Sequence, residues 1–295
     1  MFETRRLTGG TCALVETLGR PTVYLDNWAL NDIATADTLC SRFVSAMTSK
    51  ADTLRISVSN IVELLKQTDS SQIDKIVRLI GAVDTGFINV NFGDVIRREN
   101  QLLIDAAHCR DPSLELTLIH AFLLALGRPE KWSVRDVVRH VLANSDNRVF
   151  VQSYDSFADK MKAFFSAHRA DPEYVKKSLA RSRSERREKP KCCTATRELV
   201  TYSFDFIIQN RGMNMPAKEW HDVYHTIVPV AYCDIVFLDG RWANFVSQSG
   251  LKPPAIGAVF TKSSLAAGID AIGDWETPVE PSSEHREAEE GHRKV

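Results

Sequence analysis

Pro21-Thr-Val-Tyr-Leu-Asp-Asn-Trp28 is the stretch on which the fold turns. Its β-branched and aromatic run, Thr22 to Leu25, has the character of a short buried strand, and it stops on a carboxylate, Asp26, where a strand would hand over to a helix. In an open α/β sheet, ligands collect outside the carboxyl ends of the strands, so an acid at that point is a candidate metal ligand. Its partners must come from elsewhere in the chain.

Downstream, Leu30, Ile33, Ala34, Phe43, Ala46 and Met47 recur at helical spacing as far as about Lys50. Leu54-Arg-Ile-Ser-Val58 alternates like a second strand, and Ser59-Asn60 offers an N-cap for a helix Ile61 to Lys66 with Glu63 in its first turn. Ile73, Ile76, Val77 and Ile80 line another helix, and Phe87-Ile-Asn-Val90 reads as a third strand. Strands alternating with helices predict an α/β fold, a parallel sheet covered on both faces. Upstream, the first twenty residues show only turn signals at Gly9, Gly10 and Gly19.

From about Asp94 to Asn214 helical periodicity takes over, in Leu114 to Leu126, Val134 to Leu142, Ser156 to His168 and Glu198 to Asn210. Arg148-Val-Phe-Val151 is an ambiguous strand within it. The expected organisation is an α/β domain in two parts, 1–95 and 215–273, with a helical insertion at 96–214 and a disordered acidic tail at 274–295, where apolar periodicity is lost. In the second part, Lys218 to Ala231 reads as a helix kinked by Pro229, Asp234-Ile-Val-Phe-Leu238 as a strand, Arg241 to Ser247 as a helix, and Ala255 to Phe260 as a fifth strand. Asp239 then follows its strand as Asp26 follows the first. Asp234, at the start of that strand, falls outside the core site.

The composition, 44% hydrophobic and 25% charged over 295 residues, is that of an ordinary globular protein. No run approaches the roughly 18 apolar residues of a membrane span, and the first residues lack a signal-peptide pattern, so a cytoplasmic location is expected. The six cysteines have no Cys-x-x-Cys spacing, which argues for reduced thiols. A net charge of −1 excludes a globally basic nucleic-acid binder and leaves local patches. Lys176, Lys177, Arg181, Arg183, Arg186, Arg187, Lys189 and Lys191 form such a patch, with Arg181, Arg183, Arg186 and Arg187 as candidate phosphate contacts; the plainer reading is a solvated helix face.

Val23-Tyr-Leu-Asp-Asn27, Ile56-Ser-Val-Ser-Asn-Ile-Val-Glu-Leu64, Asp222-Val-Tyr-His-Thr-Ile-Val-Pro-Val-Ala231 and Ile235-Val-Phe-Leu-Asp239 together resemble the successive acidic motifs of the PIN-like nuclease family. The resemblance covers roughly 20–95 and 215–265. It implies a three-layer α/β/α sandwich around a parallel sheet of about five strands, with Asp26, Glu63, Asp222 and Asp239 as catalytic metal ligands for Mg²⁺ or Mn²⁺. The activity implied is hydrolysis of phosphodiester bonds, RNA favoured over DNA, leaving 5′-phosphate and 3′-hydroxyl ends; a homodimer or an inhibitory or defence partner protein is compatible with it. Trp28 and Phe237 depart from the family pattern, which has Ser, Thr or Asn at the first place and Ser or Thr at the second.

Chemistry gives an independent reason for such a cluster. Phosphodiester hydrolysis requires neutralising the charge of the scissile group and producing hydroxide near neutral pH, and hard cations on carboxylate oxygens do both. Each acid also has a structural reading: Asp26 and Asp239 as helix N-caps, Glu63 as a counter to the helix dipole, Asp222 as a surface charge. Two other functions compete. One is a PIN-like fold without catalysis, serving as a nucleic-acid-binding or partner-docking module; the other is an HD-type phosphohydrolase built on His221-Asp222, with His108, His120 or His168 upstream, a fold that is all-helical.

Overall fold

A computed structural model describes residues 2–6, 12–16, 19–49, 53–102, 131–144, 148–185, 195–210, 212–213 and 215–276. Five strands form an all-parallel sheet: β3 (Thr22–Leu25), β4 (Thr53–Ser57), β5 (Thr85–Ile88), β7 (Ile235–Phe237) and β8 (Ala258–Phe260). Their spatial order is β5-β4-β3-β7-β8. The chain winds outward from β3 in one direction and from β7 in the other. The order therefore reverses between β3 and β7, which opens a crevice at their carboxyl ends.

Strand alternation divides the sheet's side chains between two cores. Val23, Leu25, Ile235 and Phe237 point to one face, where they pack against α1 (Asn27–Thr35), α2 (Asp37–Ser49), α4 (Ser70–Ala82), α6 (Val134–Ala143) and α12 (Leu265–Gly273). Tyr24, Ile88 and Val236 point to the other, against α5 (Phe92–Leu102), α7 (Arg148–Ala170), α9 (Ala195–Gln209), α10 (Ala217–Tyr232) and α11 (Gly240–Gln248). The result is three layers, α/β/α. The helical stretch between the two halves of the sheet contributes to both cores: Trp132, Val134, Val137 and Val138 join the first, and Ala158, Phe165 and Leu199 the second.

Three expectations need correction. Arg148 to Val151 opens the 23-residue helix α7 rather than forming a strand, because the residues after it continue in helical period. Helix α3 (Val58–Lys66) begins before Ser59: Ser57 is its N-cap, and Asn60 closes a capping box back onto the Ser57 backbone, so Glu63 sits in the second turn. The first residues form a hairpin, β1 (Phe2–Arg6) with β2 (Cys12–Glu16), extended antiparallel by β6 (Lys131–Trp132). Helix α12 follows the last strand, with Gly268 against Phe237 and Phe260 where a methyl group would overlap their rings.

The hairpin is tied to the sheet by charge. Arg55, on β4, has no exposed side-chain surface, and its Nη1 donates to Glu16 Oε1 at 2.5 Å and to the Phe87 carbonyl at 3.2 Å. Burial raises the Glu16 pKa, and Arg55 opposes that rise. At the opposite end from the crevice, Asp234 accepts from the Thr22 backbone N–H (2.8 Å), its hydroxyl (3.0 Å) and Arg20 Nη1 (3.1 Å). These bonds hold the start of β7 against β3, a structural duty that keeps Asp234 outside the site. Among the described residues no helix is long and apolar enough to cross a membrane. The acidic tail, apart from Asp274 to Glu276, and Leu114 to Leu126 lie outside the described residues.

Candidate functional site

Asp26 and Asp239 flank the crevice. The Asp26 N–H donates to the Phe237 carbonyl at 3.1 Å, which fixes the end of β3 beside the end of β7. The Asp26 carboxylate caps α1, accepting from the Asn27 N–H at 2.6 Å. Asp239 caps α11 in turn, accepting from the Arg241 N–H at 2.7 Å, and its side chain is exposed. Both acids thus fill the capping role and stand at the switch point together.

Asp222 approaches from α10, in the helix's second turn and half-buried. Burial pushes its pKa up to about 7, helped by the negative charges of Asp26, Glu219 and Asp239. Asp26 is pushed up to about 6, chiefly by burial and then by Asp239. Three of the four expected acids are therefore within range of one another's fields. Trp242 opposes the rise at Asp222 only weakly, and its buried indole N–H makes no hydrogen bond.

Glu63 stands to one side. It reaches His221 (Oε1 to Nδ1, 3.9 Å) and is not among the main charges acting on Asp26 or Asp222. Its second-turn position removes the reading in which it simply opposes a helix dipole, an effect confined to the first turn. The insertion supplies the neighbours that the sequence did not reveal. Tyr154, on α7, bonds Ser59 and lies over the His221 ring at a centroid distance of 4.3 Å. Asp155 is paired with Lys66 at 2.7 Å and lies 3.8 Å from His221 Nε2. Burial, with Lys66 nearby, lowers the His221 pKa to about 4.

Behind Asp26 lies a closed polar ring whose proton positions can be assigned one by one. The Ser57 backbone N–H donates to Asn60 Oδ1 at 2.9 Å, which makes Asn60 Nδ2 a donor, to Asn27 Oδ1 (3.0 Å) and to the Leu25 carbonyl (3.2 Å). Asn27 Nδ2 then donates to His225 Nε2 at 3.3 Å, so the imidazole proton is on Nδ1 and faces the Tyr24 hydroxyl. Tyr24 donates to Ser57 Oγ at 3.0 Å, and Ser57 Oγ returns to Asn60 Oδ1 at 2.9 Å. Every member is satisfied only while His225 is neutral, and burial agrees by lowering its pKa to about 4. His225 Nδ1 lies 3.8 Å from Asp26 Oδ1. It braces the acid without adding charge.

The donor chemistry of this acidic group suits a hard divalent cation, since carboxylate oxygens are the ligands such ions take. As placed, however, no three His, Cys, Asp or Glu side chains among the described residues stand close enough to enclose one. The residues that depart from the expected pattern are packing residues. Phe237 is fully buried and stacks near Phe260 (5.7 Å), and Trp28 packs against the first core.

The basic patch is only partly described. Lys176 and Lys177 are exposed on α8 (Pro172–Glu185), which packs mainly on α7 and α9; of Arg181 and Arg183 only the backbone is described, and Arg186 and Arg187 lie outside the described residues. The all-helical alternative fails on architecture, because His221-Asp222 sits beside a parallel sheet; His168 caps back onto Phe164, and His108 and His120 lie outside the described residues. Comparison with known families, with curated proteins and with solved structures returned no match.

Proposed function

We propose that the chain is a PIN-like nuclease that hydrolyses phosphodiester bonds of RNA, or of single-stranded DNA, with the help of Mg²⁺ or Mn²⁺. The observation that carries the reading is the convergence of Asp26, Asp239 and Asp222 at the one crevice where the strand order reverses. Carboxylates repel one another, and gathering three of them, Asp26 buried and Asp222 half-buried, is unfavourable unless a cation or protons compensate. A bound divalent cation would supply charge neutralisation at the phosphate and lower the pKa of a water molecule.

The chain's own residues divide the remaining tasks. Asp26, Asp222 and Asp239 provide the hard oxygens, and Glu63 adds an outer acid through His221. The ring of Asn27, Asn60, Ser57, Tyr24 and His225 holds the end of β3 in place, and its neutral imidazole leaves the negative potential intact. Incubation with RNA, single-stranded DNA and duplex DNA, each with Mg²⁺, Mn²⁺ or EDTA, tests the reading: cleavage of RNA that needs the metal supports it, and no cleavage of any substrate under any condition rejects it.

A second reading, a nucleic-acid-binding or docking module without catalysis, is favoured by a specific observation. Asp26 and Asp239 already serve as helix caps, and three ligands are not gathered at bonding distance. A melting temperature that does not respond to Mg²⁺ or Mn²⁺ would select this reading.

A further inference from the structure

A groove of 340 Å³ is lined by Phe206, Asn210, Arg241, Trp242, Asn244, Phe245 and Gln248. Arg241, Asn244, Phe245 and Gln248 fall on one face of α11 by helical spacing, and Phe206 and Asn210 come from the end of α9. The floor is aromatic: Phe245 and Trp242 are buried and contact each other edge to face at 5.6 Å. The rim is polar and exposed, with three side-chain amides and one guanidinium. Arg241 is held in place by Glu219 at 2.8 Å.

We propose that this groove is a nucleobase subsite, taking one base of the substrate strand while its phosphate is at the acidic crevice. Two features select this ligand. Amide side chains present a donor and an acceptor side by side, which matches the edge of an unpaired base, and an aromatic floor accepts the base's flat face. The volume is within the range of small-ligand sites. The second feature is position: Asp239, at the crevice, caps α11 by accepting from the Arg241 N–H, and Arg241 and Trp242 in the first turn line the groove, so base and phosphate of one nucleotide can lie along the first turns of a single helix.

The phosphate's place rests on the nuclease reading, whereas base binding does not. The test is therefore run in EDTA, with the full chain and with 5′-AMP, 5′-UMP, the corresponding nucleosides and inorganic phosphate as probes, followed by NMR or tryptophan fluorescence. Nucleotides and nucleosides should bind in the millimolar range, about −4 kcal/mol. The double variant Asn244→Ala/Gln248→Ala, at two exposed positions, should weaken both by about tenfold, the loss expected for two modest hydrogen bonds.

Failure of every nucleoside and nucleotide to bind at about 10 mM, or binding that the double variant does not alter, overturns the proposal. Binding of phosphate alone as tightly as nucleotide also overturns it, because the base would then contribute nothing. Nucleotide binding in a protein that cleaves no substrate keeps the subsite and rejects the nuclease reading, so the two failures are distinct.

Discussion

Replacing Asp26 by Asn should stabilise the metal-free protein, and only above the pH at which the acid ionises. The buried carboxyl has its pKa raised from 3.8 to about 6, mainly by burial. At 1.36 kcal/mol per pKa unit, ionising it in the folded state costs about 3 kcal/mol more than in the unfolded chain. An acid whose folded-state pKa is raised favours folding fully below about pH 4 and loses that contribution as the pH rises through about 6. Asn never ionises and so avoids the loss. Its Oδ1 can still accept from the Asn27 N–H, the one backbone donor on the carboxylate, so the cap is kept.

The net gain is about 3 kcal/mol at pH 8 in EDTA, or roughly 6–12 °C in Tm. Thermal melts of the parent and Asp26→Asn at pH 4 and pH 8 measure it. The two proteins should melt together at pH 4 and separate at pH 8, and added Mn²⁺ should raise the parent alone. A variant that melts lower than its parent by the same amount at both pH values would refute the reasoning, for Asp26 would then be an ordinary helix cap with an ordinary pKa.

Three further outcomes are expected. Glu16→Gln leaves the Arg55 guanidinium buried without a counter-charge and should cost about 3 kcal/mol in denaturant unfolding; an unchanged midpoint would mean that the hairpin does not cover Arg55. Long-range ¹⁵N NMR should show His225 as the neutral Nδ1–H tautomer at pH 7, and Asn27→Ala should release it to a mixture, whereas an Nε2–H signal in the parent would break the assigned ring. Changing Arg181, Arg183, Arg186 and Arg187 to Ala should weaken RNA binding across sequences and flatten its salt dependence; parental affinity and slope would make the run a solvated surface.

What the sequence discloses here follows the range of the forces involved. The five parallel strands are legible because each is a short β-branched run bounded by turn or cap residues, and Asp26 and Asp239 are legible as the acids that end two of them. The start of α3 was misplaced because Ser57 and Ser59 are both good caps, and the choice between them depends on Asn60 closing the box, a contact that also belongs to the polar ring. The small sheet's third strand, Lys131–Trp132, is not legible because it is far in sequence from the β1 it pairs with, and its register is set by tertiary pairing. Helix α12 did carry a signal, Leu265, Ile269 and Ile272 at helical spacing. Tyr154 and Asp155 carried none: they look like any residues of an amphipathic helix until α7 packs against α10 and sets them beside His221.

The central claim is that the carboxylates at the crevice bind a divalent cation, and calorimetric titration with Mn²⁺ at pH 7.5 tests it most directly. The account predicts saturable binding accompanied by release of a fraction of a proton, because Asp222, with its pKa pushed up to about 7, is still partly protonated at that pH, and it predicts loss of that binding in both Asp26→Asn and Asp222→Asn. Absence of saturable binding in the parent, or binding that survives both substitutions unchanged, would contradict it.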